Sequence, residues 1–215
     1  MSEFTFRFIR HAESDWNKNK VHLVGGRSNH TPLTELGVEQ AKNVGRYISE
    51  NLPLPDVVIA SPAVRTMDTA RIALRSVGIY RHIRVDPRIQ ELSQGVAEGQ
   101  PRDVFYGSAA LRRIELEGID FKHSGGESIR DGGVRMHEFI DDMYQTFNDK
   151  TSYAYVFGHG LSIKSLVGKL EMWDKDQILK AETPNTSITT IAGHPGNWRV
   201  STVGFVPQPD MHVTL

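Results

Sequence analysis

The sequence has no cysteine among its 215 residues. This absence excludes disulfide bonds, thiolate metal sites and a cysteine nucleophile, and it is compatible with a reducing compartment such as the cytoplasm. The sequence also has no excess of charge of either sign, because lysines and arginines nearly balance the acidic residues and leave a formal net charge of -1. No overall field therefore favours a nucleic acid or a membrane surface as a partner.

Long apolar runs are absent too. No stretch approaches the roughly 20 apolar residues of a membrane-spanning helix. The first residues, Met1-Ser2-Glu3, lack a basic n-region, so we expect no signal peptide. The metal-binding pattern His-Glu-x-x-His does not occur. We therefore expect a cytoplasmic protein that needs no metal or other cofactor and contacts neither membrane nor nucleic acid.

Short β-type runs alternate with segments of helical periodicity. This alternation predicts an α/β fold with a mostly parallel central sheet flanked by helices on both faces, and a short antiparallel edge near the C-terminus. We expect a single domain over residues 1–215, with a small insertion at about 93–127 over the edge that carries the site. Strands are predicted at 5–9, 57–60, 83–85, 153–157, 187–191 and 198–203, and helices at 35–50, from Ser61-Pro62 onward, weakly at 101–116, from Ser128 onward and at 161–170.

Three of the predicted strands end in, or are closely followed by, a histidine or an arginine. The first ends in Arg10-His11, the second in Ser61 with Arg65 one helical turn later, and the fourth in Gly158-His159-Gly160. The carboxyl ends of parallel strands share one edge, where ligands of open α/β sheets bind. Guanidinium groups match a phosphate, and glycines let backbone N–H groups at a helix start approach the same anion. The pattern therefore predicts a phosphate site that includes Gly160.

Each of these residues also has a plain structural interpretation. His159 could be a hydrogen-bonded histidine at a strand end, and Arg65 a solvated residue of a first helical turn. An arginine there lies at the unfavourable end of the helix dipole, which indicates a nearby anion. The nine histidines also leave a metal site as an alternative, although no metal-ligand spacing supports it.

The ordered motifs resemble those of the histidine phosphatase superfamily, which includes cofactor-dependent phosphoglycerate mutases and many small phosphatases. The resemblance runs through most of the chain. His30 stands where many members carry Asp, and Ala12 and Ser14 replace the usual Gly and Thr. The matching segments are Arg10-His11-Ala12-Glu13-Ser14, Pro32-Leu33-Thr34-Glu35-Leu36-Gly37, the segment from Ser61-Pro62 through Arg65 to Thr69-Ala70, Glu91-Leu92 with Glu98-Gly99, Gly126-Glu127-Ser128 and Gly158-His159-Gly160.

The resemblance implies a role for each matching residue. His11 would be the nucleophile that takes the phosphoryl group, and Glu91 would protonate the leaving oxygen and then activate water. The phosphate oxygens would be held by Arg10, Arg65 and His159, assisted by Asn17. Phosphoryl transfer depends on charge stabilisation and in-line positioning, which these side chains suit without a metal.

The motifs do not separate a phosphatase from a mutase. The insertion is short and holds six glycines, which is typical of a mobile cover that admits water. We therefore expect a phosphatase acting on a small phosphomonoester through a phosphohistidine. The alternatives are a cofactor-dependent phosphoglycerate mutase and a non-catalytic phospho-ligand binding protein. The substrate, the oligomeric state and the role of the basic residues in the insertion stay open.

Overall fold

The computed structural model describes residues 3–147 and 153–207. Six strands in these residues form one sheet with the spatial order β3-β2-β4-β1-β5-β6. The strands β3, β2, β4 and β1 are parallel, whereas β5 is antiparallel to β1 and β6 is antiparallel to β5. The predicted mostly parallel sheet is confirmed, as is its antiparallel edge. The strands are β1 (Phe4–Arg10), β2 (Val57–Ala60), β3 (Ile83–Val85), β4 (Tyr153–Gly158), β5 (Ile188–His194) and β6 (Asn197–Phe205).

Helices cover both faces of the sheet. On one face, α2 and α3 pack against the buried side chains of Ile9 and Phe157. On the other face, α6 and α7 pack over the three phenylalanines of β1. The helices of the described residues are α1 (Asp15–Asn19), α2 (Glu35–Asn51), α3 (Val64–Arg75), α4 (Arg102–Phe105), α5 (Ser108–Glu117), α6 (Ile129–Phe147), α7 (Gly160–Leu170) and α8 (Lys175–Lys180).

The central strand β1 shows why the sheet is buried on both sides. Phe4, Phe6 and Phe8 alternate at period two, and each is at most 1% exposed. Fully burying a phenylalanine is worth about 1.5–3 kcal/mol, so this row is a main contributor to the free energy of folding. The four residues of β2 are all buried, as expected for a parallel strand covered on both faces.

Helix boundaries agree with the capping signals at two of three predicted starts. Thr34 accepts the Gly37 N–H at the start of α2, and Ser128 accepts the Asp131 N–H at the start of α6. The prediction that Ser61-Pro62 begins a helix is wrong, because α3 begins at Val64 with Ala63 as its N-cap. The short helices α1 and α8 were not predicted.

Residues 93–127 contain α4, α5 and two short 3-10 helices, Gly95–Ala97 and Gly118–Asp120. Backbone bonds join this segment to the loop after α1, because Val24 N–H donates to the Gln100 carbonyl and Gly99 N–H to the Val24 carbonyl. Within the described ranges, none of the helices combines the length and apolar character needed to cross a membrane.

Candidate active site

The carboxyl ends of β1, β2 and β4 lie side by side. Arg10 pairs with Gly158 in the parallel register, and Ala60 pairs with Phe157. The residues that follow these strands are therefore neighbours, and the rings of His11 and His159 meet edge to face with centroids 5.3 Å apart. The edge predicted from the sequence brings the two histidines together.

His11 is held in one orientation by its own backbone. Its Nδ1 lies 2.8 Å from the Ala12 carbonyl, a contact that requires Nδ1 to carry the proton and leaves Nε2 with a free lone pair. Burial lowers the pKa of His11 well below its usual range, and the charges of Arg65 and Arg10 lower it further. His11 is 4% exposed, and its ring is neutral near pH 7.

His159 is fixed through both ring nitrogens. Arg65 donates to Nδ1 at 3.0 Å, so Nε2 carries the proton and donates to Ser61 Oγ at 2.8 Å. Burial lowers the pKa of His159 well below its usual range, assisted by the nearby charge of Arg65. His159 thus orients a guanidinium while itself remaining uncharged.

Arg65 projects from the first turn of α3 into a ring of carbonyl oxygens. Its two terminal nitrogens donate to the carbonyls of residues 26–28, with a shortest distance of 2.8 Å to Ser28. Burial lowers the pKa of Arg65 to about 10, while the carboxylate of Glu91 opposes this shift. The side chain keeps its positive charge at neutral pH and is oriented by the loop.

Arg10 is buried at the end of β1 and only partly satisfied. One terminal nitrogen donates to the Thr183 carbonyl at 2.7 Å. Among the described residues its Nε has no hydrogen-bond partner. A Cβ at position 160 would lie 3.3 Å from this Nε, so Gly160 leaves space for the guanidinium. Burial lowers the pKa of Arg10, and the charge of Glu91 opposes the shift.

Glu91 is oriented by backbone N–H groups. Its carboxylate accepts bonds from Leu92 and Ser162 on Oε1, at 3.0 and 2.8 Å, and from Leu161 on Oε2, at 3.1 Å. Two of these donors belong to the first turn of α7, which begins directly after His159. Glu91 is therefore tied to the same helix start as the second histidine.

Asn17 and His30 lie on the loop side of the site. The Asn17 amide oxygen accepts from the Ser14 N–H and hydroxyl, at 3.1 and 2.9 Å, so it closes the first turn of α1. His30 is exposed. In this structure the contacts of Asn17 are local, and its predicted role toward phosphate stays a prediction.

Three of the four lysines and arginines of the insertion make intramolecular contacts. Arg102 donates to the carbonyls of Val21 and Leu23, and Arg113 pairs with Glu117. Lys122 pairs with Asp131. Arg112 is exposed on α5.

The backbone geometry of the insertion explains why glycine occupies two of its turns. Gly95 has a φ of +55° and approaches so closely that a Cβ would lie 2.1 Å from the Ser124 carbonyl oxygen. Gly99 has a φ of +76°. These residues close turns that only glycine adopts at low cost. Turn geometry thus accounts for these two glycines, and the mobility of the insertion stays a prediction.

Three residues near the site were missed by the sequence reasoning. Asn185 donates from its side chain to the His11 carbonyl at 2.8 Å. The hydroxyl of Thr69 accepts the Ala12 N–H at 3.0 Å, and the carbonyl of Thr183 receives Arg10. Thr69 lies in the segment from Ser61-Pro62 to Thr69-Ala70 that resembles the family. Asn185 lies between Pro184 and the strand β5, where loop chemistry was the only available signal.

The histidines and carboxylates do not gather as metal ligands in the part of the chain that the structure describes, where no cluster of three or more His, Asp or Glu could hold an ion.

Comparisons with known proteins give a consistent result. The profile of the histidine phosphatase superfamily (branch 1) matches residues 6–205. A 2,3-bisphosphoglycerate-dependent phosphoglycerate mutase from Rhizobium meliloti (strain 1021) is 30% identical over 182 residues, covering 82% of this chain and 83% of the relative.

Solved structures show the same fold at lower identity. A phosphoserine phosphatase from Entamoeba histolytica, in complex with 3-phosphoglyceric acid, has a TM-score of 0.76 at 22% identity, over 93% of this chain and 96% of that chain. A mycobacterial glucosyl-3-phosphoglycerate phosphatase has a TM-score of 0.78 at 22% identity, over 95% and 100%. With the profile match over residues 6–205 and the two strand-end histidines in contact, the chain belongs to the histidine phosphatase superfamily.

Proposed function

We propose that this chain is a phosphatase that hydrolyses a small phosphomonoester through a phosphohistidine at His11. The observation that carries this proposal is the state of the His11 ring. Its Nδ1–H is directed to the Ala12 carbonyl, and the ring is neutral, so Nε2 is available as a nucleophile. A protonated or differently bonded ring would lack that lone pair.

Two arginines beside the ring suit a dianionic phosphoryl group. Arg10 has a buried Nε without a partner in the described chain, and a phosphate oxygen would supply the acceptor that this donor lacks. Arg65 is oriented by loop carbonyls and by His159. In the proposal these two residues hold the phosphate oxygens, and Asn17 and the N–H of Gly160 complete the site. His159 takes part by exchanging its Nε2–H bond to Ser61 Oγ for one to a phosphate oxygen.

The proposed reaction has two steps that balance. First, Nε2 of His11 attacks phosphorus, the bond from phosphorus to the alcohol oxygen breaks, and Glu91 gives its proton to that oxygen. Second, a water molecule gives a proton to Glu91 and attacks phosphorus, and the bond from nitrogen to phosphorus breaks. The net change is ester plus water to alcohol plus phosphate. The backbone N–H donors to Glu91 hold its carboxylate in place for both transfers.

The insertion favours hydrolysis over mutase activity. A mutase must hold a bisphosphorylated intermediate, which requires cations beyond the reacting phosphate. Of the four lysines and arginines of the insertion, Arg113 and Lys122 form ion pairs and Arg102 bonds to backbone carbonyls, which leaves the exposed Arg112. The printed names of the structural neighbours, a phosphoserine phosphatase and a glucosyl-3-phosphoglycerate phosphatase, support the same choice.

The second candidate is a cofactor-dependent phosphoglycerate mutase, which the name of the 30% identical relative favours. The test supplies 3-phosphoglycerate with catalytic 2,3-bisphosphoglycerate and follows isomerisation and free phosphate, with p-nitrophenyl phosphate assayed in parallel. We expect phosphate release from a monoester and slow isomerisation. Fast isomerisation with negligible phosphate release would favour the mutase. If neither reaction is observed, the phospho-ligand binding protein is the alternative that stays.

The proposal also includes a single domain over 1–215, with residues 93–127 as an insertion, and a cytoplasmic location without a metal cofactor. The backbone hydrogen bonds between the insertion and the loop whose carbonyls bind Arg65 support unfolding of the chain as one cooperative unit. Unfolding followed by two probes, tryptophan fluorescence and far-ultraviolet circular dichroism, should give coincident transitions.

A further inference from the structure

A cavity of about 290 Å³ lies between the insertion and α7. Its walls are mainly apolar, formed by Leu111 and Ile114 of α5, by Phe121, and by Leu92, Leu161 and Leu179. The volume lies at the small end of the range for ligand pockets, roughly 300–1,000 Å³. It suits one alkyl or aryl group.

Glu91 itself does not line the cavity, but two of the lining residues, Leu92 and Leu161, are its immediate neighbours. Leu92 follows Glu91 in the chain, and the backbone N–H of Leu161 donates to the Glu91 carboxylate at 3.1 Å. In the proposed reaction, Glu91 protonates the oxygen of the leaving alcohol. The carbon atoms attached to that oxygen would therefore extend from Glu91 toward these two leucines.

The polar side chains of the cavity wall already have partners. Tyr106 donates to Gln94 at 2.6 Å, and Lys122 and Lys175 pair with acidic residues at 2.8 and 2.9 Å. Glu127 forms ion pairs with Arg135 and Arg27. A ligand group in the cavity would thus meet apolar contacts, while a sugar or carboxylate would lose hydration without a matching gain.

We propose that this cavity binds the alcohol part of the substrate and that the preferred substrate is a phosphomonoester of an apolar alkyl or aryl alcohol. This inference rests on the proposed function for the place of the phosphate. It adds the chemical class of the leaving group, which is set by α5 and the start of α7.

The test measures binding without turnover. Methyl, butyl and hexyl phosphonate are titrated into the whole protein by calorimetry, because their carbon–phosphorus bond is not hydrolysed. Affinity should rise roughly fourfold for each methylene that enters the cavity, and the heat-capacity change on binding should become more negative with chain length.

Two variants of α5 make a matched pair. Leu111 lines the cavity and is 57% exposed, whereas Leu116 is 86% exposed and lies outside it. Because both side chains are exposed, we expect an aspartate at either position to leave the fold and the circular dichroism unchanged. Leu111→Asp should lower the hexyl-to-methyl affinity ratio by at least about tenfold, the loss of two methylene contributions. Leu116→Asp should keep the ratio of the unaltered protein.

Equal affinity for the three phosphonates, equal ratios in the two variants, or no phosphonate binding would each overturn the inference. Turnover of p-nitrophenyl phosphate is measured separately. If turnover fails while hexyl phosphonate binds more tightly than methyl phosphonate, the hydrolase proposal is lost and the apolar site remains. If turnover succeeds while the three phosphonates bind with equal affinity, the hydrolase proposal stands and the apolar site is lost.

Discussion

Two buried neutral histidines should make the protein less stable in mild acid. His11 and His159 are 4% and 0% exposed, and burial lowers the pKa of both well below 6.5. The unfolded chain takes up these protons near pH 6.5, whereas the folded protein does not. Below that pH the unfolded state binds more protons, so the free energy of unfolding falls as pH falls.

The magnitude follows from proton linkage. With an unfolded pKa of about 6.5, one histidine that stays neutral in the folded state costs about 1.4 kcal/mol between pH 7.5 and 5.5, and two cost about 2.7 kcal/mol. That loss is a large fraction of the usual 5–15 kcal/mol of a folded domain, roughly a fifth to a half. The effect is therefore well within reach of a denaturation measurement.

The assay is urea unfolding at pH 7.5 and 5.5, with the difference between the two free energies as the result. His159→Asn and His11→Asn should each reduce this difference by about 1.4 kcal/mol. His30→Asn, at an exposed position, is the control and should leave it unchanged. Because each variant is compared with itself at two pH values, any general loss of stability cancels. An unchanged difference in both buried-site variants would refute the reasoning.

Three further predictions concern the reaction. His11→Ala should abolish turnover in a protein that still folds. Labelled substrate should give an acid-labile, base-stable adduct with the unaltered chain. Normal turnover of the variant would contradict the mechanism. Full activity is expected in excess chelator, and a loss that magnesium or zinc restores would contradict it. Glu91→Gln should slow alkyl phosphates about 10²–10⁴-fold and aryl phosphates much less, whereas equal losses in single-turnover phosphorylation would argue against leaving-group protonation.

The sheet and the edge that carries the candidate site were predictable because their signals are local and repeated. The phenylalanines of β1 alternate at period two, and polar residues follow three strands at the point where chemistry is placed in this fold class. Two guanidiniums and two imidazoles at one edge then follow from topology alone.

The start of α3 was not predictable by the same rules. Ser61-Pro62 carries a typical helix-start signal, yet the Ser61 hydroxyl bonds to His159 and the helix begins at Val64. A tertiary contact at the site overrides the local capping preference. The short helix α8 did carry a signal, since Asp174 and Gln177 form a capping box, but its six residues show too little periodicity to be recognised.

The segment after α8 was also beyond sequence reasoning. Asn185 and Thr183 contact His11 and Arg10 across more than 170 positions of chain, with separations of 174 and 173 residues. Only the antiparallel return of β5 onto β1 brings them there. No periodic pattern encodes such contacts.

The place of β1 in the middle of the sheet has a consequence for biosynthesis. Its neighbours are β4 and β5, so Thr5 pairs with Tyr153 and Ile9 with Ile188. Pairings across such sequence distances carry a high loop-closure cost and form slowly. During translation, β1 emerges before both of its neighbours and has no sheet partner until β4, Tyr153–Gly158, has been made. A truncated or stalled product would expose this phenylalanine-rich strand without its neighbours, so the same element that organises the site makes incomplete chains prone to aggregate.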